Sequence, residues 1–249
     1  MSFSIDGYSE DFRITSTDTD ASYACRPSSL LAYLQQVITR HAHLVGTGRD
    51  DMLSKYNSYW MVLRIWVRLN RPIIWGETLT VKMTVRRPEG TRVYRDCDLY
   101  VGQELVGEAS TLWVLANRST KKPIRLEALP EFPAQDAPSA KDVTLSRIQF
   151  PANMALHDRR RLYYSDTDIN GHINNTRYVD LACDAAELDL RPHGVFLQEM
   201  LISFVSECFA GEELSLYRGK EHGRLYIHGT GPDGSDRFDC YIRMSTDVE

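Results

Sequence analysis

The sequence feature that most constrains the fold is an internal duplication. Residues 13–20 read Arg-Ile-Thr-Ser-Thr-Asp-Thr-Asp and residues 161–168 read Arg-Leu-Tyr-Tyr-Ser-Asp-Thr-Asp, at an offset of 148 residues (Asp20 to Asp168). Further along, the Gly76-Glu77 turn lies over Gly211-Glu212, at an offset of 135 residues (Gly76 to Gly211). The chain is long enough for one large or two modest domains, so the repeat predicts two units of one fold.

Both units predict the same order of elements, which is a short strand, a polar turn, a long helix and an antiparallel meander. Pro27 suits the first turn of a helix, and apolar residues follow at helical spacing until Gly46 and Gly48. The other helix is predicted over residues 175–190. A short strand that runs into a polar turn is predicted over residues 13–20. Further strands are predicted over residues 59–69, 79–86, 91–100 and 107–116, and again over residues 161–166, 196–208, 213–219, 224–229 and 237–244. The expected fold class is α+β.

A change of composition separates the two units. Four prolines stand among Ala, Asp, Ser and Lys between residues 127 and 151, which is typical of a linker that contributes little core. We therefore expect an N-terminal unit over residues 1–128, a linker over residues 129–152 and a C-terminal unit over residues 153–249.

The overall composition is that of a globular protein with 43% apolar and 25% charged residues. No run approaches the roughly 18 apolar residues of a membrane span, and no signal-peptide pattern is present, so a cytoplasmic location is expected. Five scattered cysteines without CxxC pairs favour reduced thiols over disulfides or a metal site. The net charge of −5 argues against nucleic acid as the main partner. A homodimer is compatible with these totals.

The stretch richest in chemical groups is residues 163–183. Asp168, Asn170 and His172 fall at alternate positions, and in an extended segment all three would line one face. Asn174 or Asn175 is a good N-cap for the following helix, whose N-terminal N–H groups suit an oxygen that becomes negative during a reaction. The pattern predicts a catalytic turn.

This stretch allows three other interpretations, namely a plain solvated turn, a calcium loop and a zinc site. Asp, Asn and Gly are common in plain solvated turns, but such a turn needs neither the His nor two consecutive Asn residues. The spacing of Asp166, Asp168 and Asn170 matches the start of a calcium loop, yet position twelve is Arg177 instead of Glu. Zinc is disfavoured because no second His or Cys lies at ligand spacing near His172.

The duplication indicates which unit carries the chemistry. At the first offset, Asn170 and His172 lie over Ser22 and Ala24. At the second offset, Glu207 lies over Pro72. The second unit is therefore predicted to hold the working site, and the first to serve as a scaffold or binding wall.

One long helix followed by an antiparallel meander, repeated, resembles the hotdog architecture, in which a sheet wraps around the helix. Nearly the whole chain is similar to the acyl-ACP thioesterases. The resemblance rests on residues 165–175 (Ser-Asp-Thr-Asp-Ile-Asn-Gly-His-Ile-Asn-Asn) with the later Glu207-Cys208, and, in the first half, on Trp75-Gly-Glu77 and residues 112–117 (Leu-Trp-Val-Leu-Ala-Asn). The residue at position 171, a glycine, differs from that of the plant members of the family. The lack of a transit segment points to a bacterial form.

The resemblance implies a tandem (double) hotdog that hydrolyses fatty acyl-[acyl carrier protein] to free fatty acid and holo-ACP, which terminates chain elongation. It implies no cofactor and no metal, and as partner an acyl carrier protein with a 4'-phosphopantetheine-linked chain. The catalytic residues it implies are Asp168, Asn170, His172 and Glu207. An acyl-CoA thioesterase and a non-enzymatic acyl-binding hotdog protein are the alternatives.

Hydrolysis of a thioester needs an activated water, and Glu207 is the candidate general base, on a strand that faces the turn. Cys208 is the alternative, as a nucleophile with His172 as its base. On a regular strand Glu207 and Cys208 would point to opposite faces, so both could not enter one cavity.

Substrate contacts are expected from both units. Tyr59, Trp60, Asn174 and Asn175 are candidate binding residues, and Met61, Leu63 and Trp66 could add apolar walls for an acyl chain. An acidic carrier protein would favour a basic patch at the mouth of the cavity. Three sequence runs supply candidates, namely Arg86-Arg87, Lys121-Lys122 with Arg125, and residues 159–161.

Overall fold

The structure is a computed structural model that describes residues 2–4, 7–129 and 145–245. Its helices are α1 (Pro27–Leu44), α2 (Arg49–Tyr56) and α3 (Asn175–Ala185). Its strands are β1 (Ser2–Ser4), β2 (Gly7–Arg13), β3 (Ser58–Leu69), β4 (Thr78–Val85), β5 (Arg92–Val101), β6 (Glu104–Asn117), β7 (Ala155–Arg161), β8 (Leu197–Phe204), β9 (Glu213–Glu221), β10 (Arg224–Thr230) and β11 (Asp236–Met244).

The described strands form one 11-stranded sheet in the order β1-β2-β4-β5-β6-β3-β8-β11-β10-β9-β7, and all of its pairings are antiparallel. When β1 at one end is left out and each half is counted inward, β2-β4-β5-β6-β3 and β7-β9-β10-β11-β8 have the same succession of strands. In each half the first helix after the outer strand precedes the innermost strand. The strand order therefore repeats across the middle of the sheet.

The two halves join at the centre through β3 and β8. Five residue pairs, from Arg64↔Ser203 to Arg68↔Glu199, form this short ladder. Beyond Arg64 toward Ser58, β3 pairs only with β6, because β8 ends at Phe204 and its chain turns away. The ladder between the two halves is therefore shorter than either of the two strands that form it.

The main core lies between one face of the sheet and the helices α1 and α3, which contact each other. The buried positions of α1 repeat at helical spacing, as in Leu30, Leu34 and Ile38, which explains why this amphipathic segment is a helix. A second cluster covers the opposite face of the central strands, where Leu145 packs with aromatic and aliphatic residues, namely Trp66, Tyr94, Leu112 and Leu201.

Several predicted boundaries were wrong at the polar turns. The strand predicted to enter the first polar turn ends at Arg13, and the strand predicted over residues 161–166 ends at Arg161. The reason is that the N–H groups of Thr15 and Tyr163 donate to the carboxylates of Asp18 and Asp166 at 2.8 Å. Such local side-chain bonds replace a strand ladder.

Two helices also differ from the prediction. The helix predicted to reach residue 190 ends at Ala185, and Glu187 takes a left-handed conformation before a 3₁₀ turn at Leu188–Leu190. α2 was not predicted, since only Met52 of its residues is buried and an apolar stripe is therefore lacking. Most of the predicted linker, residues 130–144, lies outside the described residues; its end contributes Leu145 to the core, contrary to expectation.

Candidate active site

The turn that precedes α3 is held by its own aspartates. Residues 164–166 form a 3₁₀ turn, and a bridge joins Thr167 to Ile173. The Asp168 N–H donates to the His172 carbonyl at 2.8 Å, and Oδ1 of Asp168 accepts the Asn170 N–H at 2.8 Å. Gly171 has φ +78°, a left-handed conformation that glycine adopts without steric cost. These local hydrogen bonds and the glycine therefore favour a closed turn.

This turn corrects the extended arrangement predicted for Asp168, Asn170 and His172. The chain folds back between residues 168 and 172, so alternation along a strand is not what orients the three side chains. The turn nevertheless brings all three to the wall of one cavity of about 630 Å³. Glu207 lies on the same wall.

His172 and Glu207 form the closest acid–base pair in this cavity. Nδ1 of His172 lies 3.5 Å from Oε1 of Glu207, and the two side chains are 33% and 47% exposed. The ring of Phe209 meets the His172 ring edge-on, with centroids 5.2 Å apart. A partly exposed carboxylate beside an imidazole can take a proton from water and pass protons between solvent and a bound group.

Glu207 does not stand on a strand as predicted. β8 ends at Phe204, and Glu207 belongs to the loop that follows. The loop is fixed by Cys208, whose carbonyl accepts the Ile173 N–H at 2.9 Å and whose N–H donates to the Tyr178 hydroxyl at 3.1 Å. The backbone of Cys208 thereby ties the loop to the turn and to α3, which places Glu207 beside His172.

The Cys208 side chain faces the core. It is fully buried and is not among the residues that line the cavity. Burial raises the pKa of the Cys208 thiol to about 11, which disfavours the thiolate that a nucleophile requires.

The predicted binding residues separate into two groups. Tyr59, Trp60 and Asn175 line the cavity. Asn174 is instead the N-cap of α3, and its side-chain oxygen accepts hydrogen bonds from the N–H and the hydroxyl of Thr176, both at 2.9 Å. The sequence was compatible with either Asn174 or Asn175 as the N-cap, and in the structure it is Asn174.

Leu63 and Trp66, predicted as cavity walls, pack in the cluster on the other face of the sheet. Leu63 is three residues from Trp60, so the alternation of a regular strand already directs it to the opposite face. Trp66 is directed there by an irregularity in the pairing of β3 with β6 between Val62 and Arg64, which shifts the register. A shift of one residue sends the following side chains to the opposite face.

The N-terminus of α3 offers one open donor. Asn174 takes the Thr176 N–H through its side chain and the Arg177 N–H through its carbonyl at 2.9 Å. Among the described residues, no acceptor lies within hydrogen-bonding distance of the Asn175 N–H. A free N–H at the start of a helix is a favourable position for a developing negative charge.

The first half contains a turn with several of the same hydrogen bonds. Asp20 N–H donates to the Ala24 carbonyl at 2.9 Å, and Asp20 Oδ1 accepts the Ser22 N–H at 2.8 Å. A bridge joins Thr19 to Cys25, as Thr167 is joined to Ile173. Asp20 also forms an ion pair with Arg191. The aspartate present in both turns therefore maintains the shape of the backbone.

A second cavity of about 490 Å³ lies beside this first turn. Its wall includes Ser22, Ala24 and Pro72, the counterparts of Asn170, His172 and Glu207. Pro27 stands at the start of α1 where Asn175 stands at the start of α3, and proline has no N–H to donate. This cavity therefore lacks counterparts of the His172 and Glu207 side chains, although other charged residues such as Asp20 and Arg191 line it.

Several groups of the cavity that contains His172 have no direct signal in the sequence. Gln35 of α1, Arg49 of α2, Trp113 of β6, Arg118 and Lys121 all line it. They come from the first half, far from the turn in sequence, so only the folded chain brings them to the site. Of these, only Lys121 belonged to a predicted basic run.

Within residues 2–4, 7–129 and 145–245, no group of three or more His, Cys, Asp or Glu side chains is arranged to hold a metal ion. In the same part of the chain, no helix combines the length and apolar character needed to cross a membrane.

Comparison with known proteins identifies relatives in one family. The chain is 27% identical over 188 residues to the chloroplastic acyl-[acyl-carrier-protein] hydrolase FATB2 of Cuphea viscosissima, covering 69% of this chain and 45% of the relative. It is 25% identical over 217 residues to the chloroplastic palmitoyl-acyl carrier protein thioesterase of Gossypium hirsutum, covering 81% of this chain and 52% of the relative. The chain thus spans about half the length of these curated relatives.

Solved structures show the same fold. An acyl-ACP thioesterase from Bacteroides thetaiotaomicron superposes with a TM-score of 0.85 at 21% identity, over 96% of this chain and 98% of that one. The 12:0-ACP thioesterase from Umbellularia californica superposes with a TM-score of 0.82 at 18% identity, over 98% of both chains. The fold is therefore α+β and hotdog-like.

Family profiles match both halves of the chain. Residues 6–132 match the profile described as the acyl-ACP thioesterase N-terminal domain, and residues 153–230 match that of the C-terminal domain. Together with the relatives above, these matches confirm the resemblance inferred from the turn and from Glu207-Cys208. The chain belongs to the acyl-ACP thioesterase family.

Proposed function

We propose that this protein hydrolyses fatty acyl thioesters of acyl carrier protein, which releases free fatty acid and holo-ACP and terminates chain elongation. The observation that carries this proposal is the pairing of His172 with Glu207, 3.5 Å apart, in a cavity that also contains Asn170. Its support from outside the site is membership of the family.

In the proposed mechanism, Glu207 removes a proton from a water molecule whose oxygen attacks the thioester carbonyl carbon. The carbonyl electron pair moves onto the oxygen, and the Asn175 N–H stabilises the resulting negative charge. The C–S bond then breaks, the carbonyl re-forms, and the sulfur leaves with a proton relayed through His172. Asn170 orients the water or the carbonyl through its side-chain amide.

Asp168 acts in this proposal by holding the turn. Its Oδ1 accepts the Asn170 N–H at 2.8 Å and its Oδ2 lies 3.4 Å from the Asn170 amide nitrogen, so it restrains Asn170 directly. A residue that fixes a backbone turn and one catalytic side chain affects rate through their positions.

The alternative with Cys208 as the nucleophile has less support. The thiol is buried behind the loop, and its raised pKa leaves little thiolate near neutral pH. Glu207 is on the cavity wall and needs no covalent intermediate. We therefore propose direct attack by water.

We also propose that the fold is a tandem hotdog whose first unit spans residues 1–128 and whose second spans residues 153–249. Support comes from the repeated strand order on the two sides of the β3–β8 ladder and from the matched bonds of the two turns. The first unit would supply part of the acyl-chain wall through Tyr59, Trp60 and Trp113.

The carrier protein is proposed to dock where positive charge meets the cavity. Arg49, Arg118 and Lys121, here called the basic rim, line the cavity and are exposed. The other predicted runs are less suitable. Arg86 is buried in an ion pair with Asp96, with Nε 2.6 Å from Oδ2, and residues 159–161 lie on β7 at the outer edge of the sheet. Positive charge at this rim suits an acidic protein partner.

Turnover of a graded series of acyl-ACP substrates, each compared with the matching acyl-CoA, tests the proposed function. We expect kcat/KM to be higher for at least one acyl-ACP than for its acyl-CoA counterpart. Uniformly higher values for acyl-CoA would support the acyl-CoA thioesterase alternative. Tight binding of acyl-ACP without any hydrolysis would support a non-enzymatic acyl-binding protein.

A further inference from the structure

The cavity with Asn170, His172 and Glu207 contains a buried amide that the mechanism above does not use. Gln35 lies on α1 and lines this cavity. Its side-chain nitrogen Nε2 is buried and finds no hydrogen-bond partner among the described residues. Burying an N–H group without an acceptor is unfavourable, so this donor at a cavity wall indicates that a bound molecule supplies the acceptor.

The second cavity provides an internal comparison. α1 and α3 begin at matching positions, Pro27 and Asn175, and at that offset Gln35 lies over Cys183, which lines the second cavity. A thiol is only a weak hydrogen-bond donor. The amide is therefore present in the cavity that has His172 and Glu207, and absent from the one that has Ala24 and Pro72 at the matching positions. Packing alone does not require a glutamine there.

The chemistry of the site specifies an acceptor. The oxyanion formed by water attack is best held by more than one donor, and of the N–H groups discussed at the start of α3 only that of Asn175 is open. We propose that Gln35 donates a hydrogen bond from Nε2 to the carbonyl oxygen of the bound thioester, and that this bond strengthens as the oxygen becomes negative. This inference rests on the proposed thioester hydrolysis.

The assignment makes the first half of the chain a direct participant in catalysis. Gln35 on α1 and the Asn175 N–H at the start of α3 would both donate to the thioester carbonyl oxygen. The two contacting helices would then hold the reacting group between them. The electron pair that moves onto the oxygen during attack returns to re-form the carbonyl when the C–S bond breaks. Gln35 gains and loses no proton in either step.

The test compares Gln35→Met with Gln36→Met. Methionine has about the length of glutamine and no N–H, while Gln36 is exposed on the same helix, with its Nε2 3.5 Å from Oε1 of Glu10. For Gln35→Met we expect kcat on acyl-ACP to fall roughly 10²–10³-fold, with KM changed by less than about threefold. Gln36→Met should keep the kcat of the unmodified protein.

A second measurement separates a donor from a structural residue. Acyl carrier protein bearing an alkyl thioether has a methylene in place of the carbonyl and offers no oxygen to Gln35. Its Kd should be the same for the unmodified protein and for Gln35→Met. A matching loss of thioether binding, or an unchanged kcat for Gln35→Met, would overturn the inference while leaving thioester hydrolysis intact. An unmodified protein inactive on every acyl-ACP and acyl-CoA would overturn both proposals together.

Discussion

Glu207 and Pro72 occupy the same place in two matching hydrogen-bonded loops. Glu207 precedes Cys208, whose carbonyl accepts the Ile173 N–H at 2.9 Å, and Pro72 precedes Ile73, whose carbonyl accepts the Cys25 N–H at 2.7 Å. The backbone at the two places is held alike, but only one carries a carboxylate. Of the two loops, only the one with Glu207 can therefore supply a base at this place.

The first prediction concerns Glu207 as the base. Glu207→Gln keeps the size and polarity of the side chain and removes its ability to take a proton from water. We expect kcat to fall roughly 10²–10⁴-fold with KM little changed, measured by steady-state hydrolysis of acyl-ACP.

Glu213→Gln is the matched control, because Glu213 is exposed at the start of β9. It should retain full activity. Equal activity of Glu207→Gln and the unmodified protein would remove Glu207 from the mechanism.

The second prediction concerns Cys208. Cys208→Ala and Cys208→Ser should each retain most activity, because the thiol faces the core and its pKa is raised to about 11. A loss of stability on the order of 1 kcal/mol is expected from this buried position, measured by denaturant unfolding. Rapid-quench experiments should find no acyl-enzyme.

A cysteine nucleophile would also have a distinct pH signature. With a thiol pKa of about 11, its rate would rise close to tenfold per pH unit between about pH 8 and pH 10, as the thiolate fraction grows. Such a rise, or acyl label trapped on Cys208, would favour the covalent mechanism over water attack.

The third prediction concerns the turn residues that contact substrate in the proposed mechanism. Asn170→Ala and His172→Ala should each lower kcat by about 10²–10³-fold, the usual cost of one lost hydrogen bond to a reacting oxygen. Thermal unfolding should change little, since Asn170 is exposed and His172 partly so. A large drop in Tm for either variant would instead indicate that it supports the fold.

The fourth prediction concerns the first turn. Ser22→Ala should leave turnover nearly unchanged, because the Ser22 bond that matches the second turn uses its backbone N–H. Asp20→Asn should cost roughly 0.5–1.5 kcal/mol of stability, since Asp20 holds the turn and pairs with Arg191. Turnover abolished in a folded Ser22→Ala protein would show that the second cavity takes part in the reaction.

The fifth prediction concerns the basic rim. Raising the salt concentration should increase KM for acyl-ACP more than KM for acyl-CoA, because screening weakens attraction between exposed charges. Lys121→Ala should reduce this difference, with Lys220→Ala on β9 as a control outside the rim. Equal salt dependence for both substrates would argue against docking at this surface.

Much of the fold could be predicted because local chemistry and the repeat agree. The stripe of Leu30, Leu34 and Ile38 predicted α1, and the alternation of the meander predicted its strands to within a few residues. The irregularity near Leu63 could not be read from the sequence, since it depends on pairing with a distant strand. For the same reason, the predicted cavity wall at Trp66 was wrong.

Some residues of the candidate site could be predicted from the sequence and others could not. Asp168, Asn170 and His172 were found because their residue types are unusual together within one turn. Gln35 carried no such mark, since one glutamine on an amphipathic helix resembles any other polar position. Its significance comes only from the contact of α1 with α3 and from the cavity that this arrangement encloses.

The placement of both turns in one polypeptide has a consequence for sequence change. In an assembly of two identical chains, a mutation at one turn would appear in both cavities at once. Here Ser22, Ala24 and Pro27 can differ from Asn170, His172 and Asn175 while the bonds of both turns persist. The second cavity is consequently the natural place to engineer new binding properties into this scaffold without disturbing the residues proposed to carry the reaction.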